Sequence, residues 1–454
     1  MSTSQSRIAS VAAHLAAPMA APSGTRNMSS GMEMPFPISE RIRILYSVAN
    51  TCQYPWSSPT PIPISTTAHA PKGPDDVVII SAVRTALTKG GKGGFAETQP
   101  ELLLAAVLKA TLERTGIDPK LVEDIQVGNV LMPGAGVTTS RMAALYAGFP
   151  DTTAVCAVNR QCSSGLATCA NIAGSIKAGY IDIGIGAGVE SMSLYYGPAA
   201  MPTNINDEIL NYGPAADVLT PMGVTSENVA AEFGVTRAEQ DAFALRSHSL
   251  ALKAQKEGLF KEEITPVKLA SGTVVDSDDG IRSTTAEGLA KLRPVFKKDG
   301  TTTAGNASQV SDGAAAVLLM RRSTAERLGL KPIARWVGFS AVGVPPRIMG
   351  IGPAFAIPAA LKQVGLTAQD VGIYEINEAF ASQAVYSVKK LGIDVAKVNP
   401  KGGAIAFGHP MGATGARQIA TLLPELRRQK QKFGVISMCV GIGMGVAAVI
   451  ENEA

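Results

Sequence analysis

A cysteine in a turn of small residues, Cys162, is the residue of this sequence best suited to covalent chemistry. It stands in the segment Asn-Arg-Gln-Cys-Ser-Ser-Gly at 159–165, between an apolar run at 154–158 and a helical pattern that begins near Ser164. A helix N-terminus presents unpaired backbone N–H groups and the positive end of the helix dipole, which favour thiolate over thiol. Cys162 is therefore a candidate nucleophile, although a lone cysteine is more often a buried packing residue.

Three later turns carry the partners that a nucleophilic thiol needs. Asn377 and Glu378 follow an apolar run, His409 lies in a Gly-rich loop at 402–412, and Cys439 opens the segment Cys-Val-Gly-Ile-Gly-Met-Gly. Taken singly, each has a structural explanation: a helix cap, a tight connection, a satisfied histidine or a packing cysteine. All of these turns follow predicted strands, and loops at the carboxyl ends of strands form the ligand crevice of open α/β sheets. We therefore expect them to converge on one acyl-transfer site with an oxyanion hole.

The elements that position these turns occur in the same order in two stretches of the chain. Apolar runs predict strands, and 3.6-residue periodicity predicts helices. The first stretch has strands at 77–81, 125–131, 154–158 and 181–187 and helices at 101–115, 141–147 and 164–178. The second has strands at 333–340, 371–376, 395–398, 433–438 and 445–451 and helices at 353–364, 379–390 and 413–426. We interpret this as an internal duplication of one βαβαβα unit in an α/β fold with a parallel-rich sheet.

This pattern predicts the domain organisation. Residues 1–75 are rich in Ser, Ala and Pro and begin without acidic residues, which indicates a targeting segment followed by a disordered, Pro-rich linker. We expect the first half of the duplication at 76–191 together with 311–331, and the second half at 332–454. The more polar stretch 192–310 is interpreted as an inserted loop or cap domain.

Composition excludes several classes of function. The 454 residues are 46% hydrophobic and 17% charged with a net charge of +4, which is typical of a globular protein with a large core. No Lys/Arg cluster is interleaved with aromatic residues, and no apolar run is long enough for a transmembrane helix, so neither nucleic-acid binding nor a membrane span is expected. The five cysteines and four histidines are scattered, which favours a reducing compartment and no metal site.

In combination, these turns resemble the active-site motifs of thiolases, most closely those of the peroxisomal type of 3-ketoacyl-CoA thiolase. A further segment at 306–313, Asn-Ala-Ser-Gln-Val-Ser-Asp-Gly, is similar to the end of the substrate loop of this family. The resemblance covers residues 75–454. The segments that carry it are 159–165, 306–313, 377–381, 408–412 and 439–445. The resemblance implies duplicated βαβαβαββ halves that form a five-layered α-β-α-β-α core, with an inserted loop domain.

The resemblance also implies an acetyl-CoA C-acyltransferase, which cleaves 3-ketoacyl-CoA with CoA in the last step of fatty-acid β-oxidation. Cys162 would be the acyl-thioester nucleophile in ping-pong kinetics. Cys439 would be the acid and base, and either Cys439 or His409 would accept the thiol proton of CoA. Together with a water held by Asn377, His409 would bind the thioester oxygen. The backbone N–H groups of Cys162 and Gly441 would form a second oxyanion hole.

Substrate contacts and partners are implied in the same way. Ser308 matches a position near the pantetheine arm, and Arg282 is a tentative candidate for the CoA phosphates, the alternative being a surface arginine without a specific role. CoA is the co-substrate, no bound cofactor or metal is implied, and a homodimer is expected.

The N-terminus carries a second resemblance, to the peroxisomal import signal found in this group. Its residues are Arg7, Ile8, His14 and Leu15, with Arg7 and His14 about two helical turns apart on one side of a helix. This predicts an import receptor as partner and the peroxisome as location. The alternative is a mitochondrial presequence, because the segment is Ser-rich and poor in acidic residues.

Three alternative functions differ from this interpretation. A biosynthetic acetoacetyl-CoA thiolase shares the fold and residues, but typically differs around the nucleophile, where the residues beside Cys162 favour degradation. A decarboxylating condensing enzyme would have a second catalytic histidine, and none lies between His248 and His409. A non-catalytic lipid carrier would require loss of the catalytic set, which is present here.

Overall fold

The computed structural model of the chain describes residues 68, 70–197, 202 and 204–454. The predicted import-signal residues Arg7, Ile8, His14 and Leu15 lie outside the described residues. The targeting segment and linker predicted at 1–75 lie within them only from Ala68 onward.

The longer strands overlap the predicted apolar runs, and four strands of two residues each were not predicted. The strands are β1 Val77–Thr85, β2 Thr88–Lys89, β3 Asp124–Gly128, β4 Ala154–Val158, β5 Ile183–Ser191, β6 Ile264–Thr265, β7 Val267–Lys268, β8 Val274–Val275, β9 Ser311–Arg321, β10 Ala334–Gly343, β11 Val371–Ile376, β12 Phe433–Val440 and β13 Met444–Asn452. Strands β5, β9 and β12 are buried over almost their whole length, as continuous apolar runs predict.

The α-helices connect these strands or form the insertion between β5 and β9. They are α1 Pro100–Thr115, α2 Val137–Ala147, α3 Ser164–Ala178, α4 Met192–Tyr195, α5 Asp207–Leu210, α6 Gly213–Ala216, α7 Met222–Phe233, α8 Arg237–Lys256, α9 Ala286–Ala290, α10 Arg322–Arg327, α11 Gly352–Val364, α12 Ala381–Leu391, α13 Ala404–Phe407 and α14 Thr414–Arg428. Several of the longer connecting helices end at glycines with a left-handed backbone, for example Gly116 and Gly179.

The two halves of the sheet have the same strand order. The sheet runs β11-β12-β13-β10-β1-β9-β5-β3-β4. In the first half β3 is parallel to β4 and β5, while β9 is antiparallel to β5 and β1. In the second half β11 is parallel to β12, while β13 is antiparallel to β12 and β10. The predicted duplication therefore appears in the topology, and the halves join where β1 pairs with β10.

Two sequence-based expectations about the sheet are wrong. The sheet is mixed and not parallel-rich, in part because the short turn between β12 and β13 permits only an antiparallel pair. The strand predicted at 395–398 is also wrong, because Val395–Lys397 is a 3-10 helix capped by Asp394, which accepts a hydrogen bond from the Ala396 N–H. Only Val398 pairs, in an isolated parallel bridge to Tyr374, at the position that β4 occupies in the first half.

The hydrophobic core divides into layers of helix and sheet. On the outer face of the first half, α1 packs through Leu104 and Leu108. Between the two halves of the sheet, α3 and α14 pack together through Leu166 and Ile419 and contact both halves. On the outer face of the second half, α11 packs through Ala360. The resulting order is α-β-α-β-α, and it places the N-termini of α3 and α14 side by side in the middle layer.

Candidate active site

The turn that carries Cys162 is held by hydrogen bonds from its own side chains. Gln161, just before it, has φ 48°, a left-handed backbone that is uncommon for a residue other than glycine. The Asn159 Oδ1 accepts a hydrogen bond from the Gln161 N–H at 2.9 Å. The Ser164 hydroxyl accepts from the Arg160 N–H at 2.9 Å and donates to the Gln161 carbonyl at 2.6 Å. These bonds fix Cys162 between β4 and the first turn of α3.

Burial determines the protonation of the Cys162 thiol. Only 7% of the residue is exposed, and this burial raises the pKa of the thiol. The backbone N–H groups of Gly441 and of Cys162 itself lower this pKa, but by less, and the negative charge of Glu190 raises it. The expectation that the helix N-terminus favours the thiolate is therefore wrong for the free site, because desolvation outweighs the N–H groups.

Cys439, at the end of β12, lies close to Cys162. It is fully buried, which raises the pKa of its thiol well above the ordinary value, and ionisation of Cys162 to a thiolate would raise this pKa further. Its neighbours include the buried residues Met349 and Ala379, so its surroundings are apolar. In the free site both thiols are therefore protonated.

His409 has a defined tautomer. The Thr414 hydroxyl donates its only hydrogen to the Pro410 carbonyl at 3.0 Å, so at 2.6 Å from Nδ1 of His409 it must accept. We therefore assign the proton to Nδ1, which leaves a lone pair on Nε2. Burial lowers the pKa of His409 to about 3, and the positive charge of Arg417 contributes to this shift to a smaller extent. The ring is therefore neutral at physiological pH.

Asn377 lies beside this lone pair. It follows β11, and its backbone N–H donates to the Ser437 carbonyl on β12 at 2.8 Å. Its side-chain Nδ2 lies 3.3 Å from Nε2 of His409 and donates toward it. Asn377 is 1% exposed, and its Oδ1 makes no hydrogen bond within the described part of the chain. This oxygen is a polar atom of the site that is free to hold a water or a substrate group.

Glu378 anchors the loops on which Asn377 and His409 lie. Its buried carboxylate accepts hydrogen bonds from the Ser247 hydroxyl at 2.6 Å, the Asn399 side chain at 2.7 Å and the Ile405 N–H at 3.2 Å. From its position at a predicted helix start, this glutamate is expected only to be part of a helix cap beside Asn377. The structure shows that it ties α8 of the insertion to the Gly-rich loop of the second half.

Ser308 lies next to the Asn377 loop, whereas Arg282 lies at the surface. The Ser308 N–H donates to the Ala379 carbonyl at 2.9 Å, and the carbonyl of the next residue, Gln309, accepts from the His409 N–H at 3.2 Å. Ser308 is half-buried and Arg282 is exposed. Of the two residues predicted to contact CoA, Ser308 is thus placed beside the Asn377 and His409 loops.

Sequence reasoning missed Glu190, at the end of β5. It is fully buried and accepts hydrogen bonds from the Gly412 N–H at 2.9 Å and the Asn129 side chain at 3.1 Å. Burial raises the pKa of its carboxyl group to about 7. The available signal was an acidic residue at the carboxyl end of a long buried strand, where charge is rare unless it is paired.

The described part of the chain has neither a metal-binding cluster nor a membrane-spanning helix. No three His, Cys, Asp or Glu side chains there are arranged to hold a metal ion. None of its helices combines the length and apolar character needed to cross a membrane.

Family models of known proteins match nearly all of the described residues. The family model "Thiolase, N-terminal domain" matches residues 77–323, and "Thiolase, C-terminal domain" matches 330–452. The peroxisomal 3-ketoacyl-CoA thiolase of Yarrowia lipolytica is 55% identical over 391 residues, which cover 84% of this chain and 94% of the relative.

Solved structures agree with the sequence relatives. The dimeric peroxisomal thiolase of Saccharomyces cerevisiae is 52% identical with a TM-score of 0.82, over 84% of this chain and 99% of that one. A second structure of the Saccharomyces cerevisiae peroxisomal 3-ketoacyl-CoA thiolase has a TM-score of 0.72 at 46% identity, over 84% of this chain and 99% of that one. It is described as a five-layered α-β-α-β-α structure built from two core domains of identical topology, which is the layer order found here.

Proposed function

The chain belongs to the thiolase family, and we propose that Cys162 is the nucleophile of its reaction. The activity is the thiolytic cleavage of 3-ketoacyl-CoA by CoA, which yields acetyl-CoA and a shortened acyl-CoA, and the place of action is the peroxisome. The observation that carries the proposal is a pair of buried contacts: Cys439 lies close enough to Cys162 for the two thiols to affect each other's titration, and Asn377 lies 3.3 Å from His409.

The first step is attack of Cys162 on the 3-keto carbon. Because its thiol is protonated in the free site and His409 is a weak base there, the proton must move to the Nε2 lone pair of His409 as the sulfur bonds to the keto carbon, and not before. The thiolate forms a bond to the keto carbon, and the bond between C2 and C3 then breaks. Its electron pair moves to C2 and forms the enolate of acetyl-CoA, while the acyl chain stays on Cys162.

The second step is protonation of the enolate, for which Cys439 is the proton donor. Its buried thiol is a proton donor, and transfer of its proton to C2 releases acetyl-CoA and leaves a thiolate. This thiolate then takes the thiol proton of CoA. The CoA sulfur attacks the acyl group, and Cys162 leaves and recovers its proton from His409. Atoms and charges therefore return to their starting state after each turnover.

The proposal includes two oxyanion sites, which the geometry supports. Protonated His409, with a water on the free Oδ1 of Asn377, would bind the thioester oxygen where the enolate develops. The backbone N–H groups of Cys162 and Gly441 already face the Cys162 sulfur, so they would bind the oxygen of the adjacent tetrahedral intermediate.

Substrate contacts and partners complete the proposal. Ser308 would contact the pantetheine arm and Arg282 the CoA phosphates, CoA being the co-substrate. The protein would form a homodimer, since the Saccharomyces cerevisiae relative is dimeric. Its import receptor would bind Arg7, Ile8, His14 and Leu15.

We retain the division predicted from the sequence as a proposal. It has a targeting segment and linker at 1–75, a first core domain at 76–191 with 311–331, a loop domain at 192–310 and a second core domain at 332–454.

The test is an assay of CoA-dependent cleavage with 3-ketoacyl-CoA substrates of increasing chain length. The wild type should cleave medium and long chains in ping-pong kinetics, and Cys162→Ala should abolish both turnover and the acyl-enzyme detected by mass spectrometry. Cleavage limited to acetoacetyl-CoA would favour the biosynthetic alternative. Acyl label attached to Cys162→Ala would contradict the assignment of the nucleophile.

A further inference from the structure

Glu190 binds backbone from both halves of the chain with one carboxylate. Its Oε1 accepts hydrogen bonds from the Asn129 side chain at 3.1 Å and the Leu131 N–H at 3.2 Å. Its Oε2 accepts from the Val130 N–H at 3.1 Å and the Gly412 N–H at 2.9 Å. All four donors are N–H groups, so each carboxylate oxygen faces two donors.

These donors belong to two loops that border the catalytic site. Asn129, Val130 and Leu131 follow β3 in the first half, whereas Gly412 is three residues after His409 in the second half. The Gly412 bond is therefore a link between the halves, one loop away from the catalytic imidazole.

Three glycines of the first half, Gly128, Gly165 and Gly188, allow the His409 loop to approach Glu190 closely. A methyl group built on Gly128 or Gly165 would lie 2.7 Å from the Gly412 carbonyl oxygen, and one on Gly188 would lie 2.1 Å from it. Only glycine permits this approach, since real Cβ atoms do not come so close. The loop is thus seated directly on the strands of the first half, with the Gly412 N–H aimed at the carboxylate.

The charge of Glu190 also reaches the nucleophile. Its negative charge raises the pKa of the Cys162 thiol, while the backbone N–H groups of Cys162 and Gly441 act in the opposite direction. The pKa of Glu190 itself is raised by burial and lowered, to a smaller extent, by the Asn129 amide and the three backbone N–H donors. The charge of this carboxylate is therefore coupled to the titration of the Cys162 thiol.

We propose that Glu190 is a positioning residue of the thiolase reaction, whose carboxylate seats the His409 loop of the second half against the β3 loop of the first. The inference rests on the proposed function, because it concerns the base of that reaction. A glutamine at this position would have to turn its NH2 group toward two N–H donors in either orientation. Two hydrogen bonds would be lost, and the His409 loop would shift relative to Cys162.

The experiment compares Glu190→Gln with Glu190→Asp. Glu190→Gln should lower kcat for thiolysis of 3-ketodecanoyl-CoA by about 10- to 100-fold. KM should change little, because the variant displaces the base His409 and leaves substrate binding intact. Glu190→Gln should also move the pH midpoint of iodoacetamide alkylation at Cys162, followed by peptide mass spectrometry, to lower pH, because a negative charge is removed. Glu190→Asp should keep this midpoint near that of the wild type and recover part of kcat.

Glu451→Gln is the matched control. Glu451 is also a buried carboxylate, bonded to Arg335 at 2.7 Å near the opposite end of β13 from the catalytic turn. It should leave kcat and the Cys162 midpoint unchanged. An unchanged kcat and midpoint in Glu190→Gln, or an equal loss of kcat in Glu451→Gln, would overturn the inference. A wild type without thiolysis would instead refute the proposed function, since the variants are compared only against an active enzyme.

Discussion

Single residues of this site are governed by burial more than by local sequence. Cys162 stands before a helix N-terminus, yet desolvation raises the pKa of its thiol, and Cys439 shows the same effect more strongly. The pKa of His409 is lowered by the same cause, which keeps the ring neutral. The free enzyme therefore holds its protons on sulfur and its lone pair on nitrogen, and the charges arise only during the reaction.

Cys439→Ser tests the proton donor. A serine hydroxyl is a far weaker acid than a thiol, so exchange of the C2 protons of acetyl-CoA with solvent deuterium should fall by about 100-fold or more. Acylation of Cys162 should continue, as followed by mass spectrometry of the intact protein. Cys156→Ser is the control, because Cys156 lies on β4 outside the site and should leave exchange unchanged. Exchange at the wild-type rate in Cys439→Ser would contradict its role.

His409→Asn tests the neutral imidazole through the pH dependence of stability. Burial lowers the pKa of His409 from 6.5 to about 3, so the unfolded chain binds this proton below pH 6.5 while the folded protein does not. Stability is therefore lost as pH falls from 6.5 toward 3, by on the order of 1 kcal/mol per pH unit.

The measurement is the free energy of unfolding by urea at several pH values. His248, whose pKa burial lowers to about 4, acts in the same direction in both proteins, so the comparison isolates His409. The variant should lose stability less steeply than the wild type between pH 6.5 and 4. Equal slopes would show that His409 is protonated in the folded state.

At the scale of secondary-structure elements, α3, α14 and the His409 loop are in close contact where the two halves face each other. Gly165 opens α3, and a methyl group there would lie 2.7 Å from the Gly412 carbonyl and 3.0 Å from the Ala416 N–H. A larger residue would separate the middle-layer helices at the point where they hold the catalytic turns. This contact could not be predicted from helical periodicity. The side chains of Gly165 and Ala416 are too small to mark one face of a helix, and Gly412 lies in a loop.

Gly165→Ala and Gly174→Ala form a matched pair on α3. Gly165→Ala should destabilise the protein by about 1–3 kcal/mol through overpacking and lower kcat, because the His409 loop is displaced. Gly174 is exposed and has open space around its Cα, so alanine there should stabilise the helix by about 1 kcal/mol with unchanged kcat. Urea unfolding and the thiolysis assay measure both effects. Equal kcat in the two variants would contradict the close approach.

For the whole molecule, a buried charge network connects the two halves and the insertion. Glu263, from the insertion, accepts hydrogen bonds from Arg84 of β1 at 2.7 Å and Lys401 of the second half at 2.6 Å. Arg84 also binds Asp278 of the insertion at 2.7 and 2.9 Å. These four side chains are almost fully buried, so each charge depends on its partners.

Lys401→Met tests this network. Removal of the lysine leaves Glu263 with excess buried charge and should cost about 3–5 kcal/mol of unfolding free energy. Lys389→Met is the control, because Lys389 pairs with Glu239 at the surface and should contribute at most about 1 kcal/mol. Urea unfolding at one pH gives both values. A loss no larger for Lys401→Met than for the control would show that the network is not coupled to stability.

The local elements and the residue types of the site could be predicted from the sequence. The bounds predicted for β4, α3 and β11 match the structure, because buried strands and amphipathic or apolar helices have periodicities that neighbouring residues alone define. The four motif turns were also found, since each lies at the end of such an element. The duplication was read from element order, and the shared strand order confirms it.

Properties that depend on contacts between distant residues could not be predicted in this way. The strand predicted at 395–398 became a 3-10 helix, because the Asp394 cap outweighs a weak apolar run. The protonation of Cys162 and the role of Glu190 depend on groups far away in the chain, such as Gly441 and Gly412. Desolvation and hydrogen bonding act through space, and only the folded arrangement of the two halves specifies which groups meet.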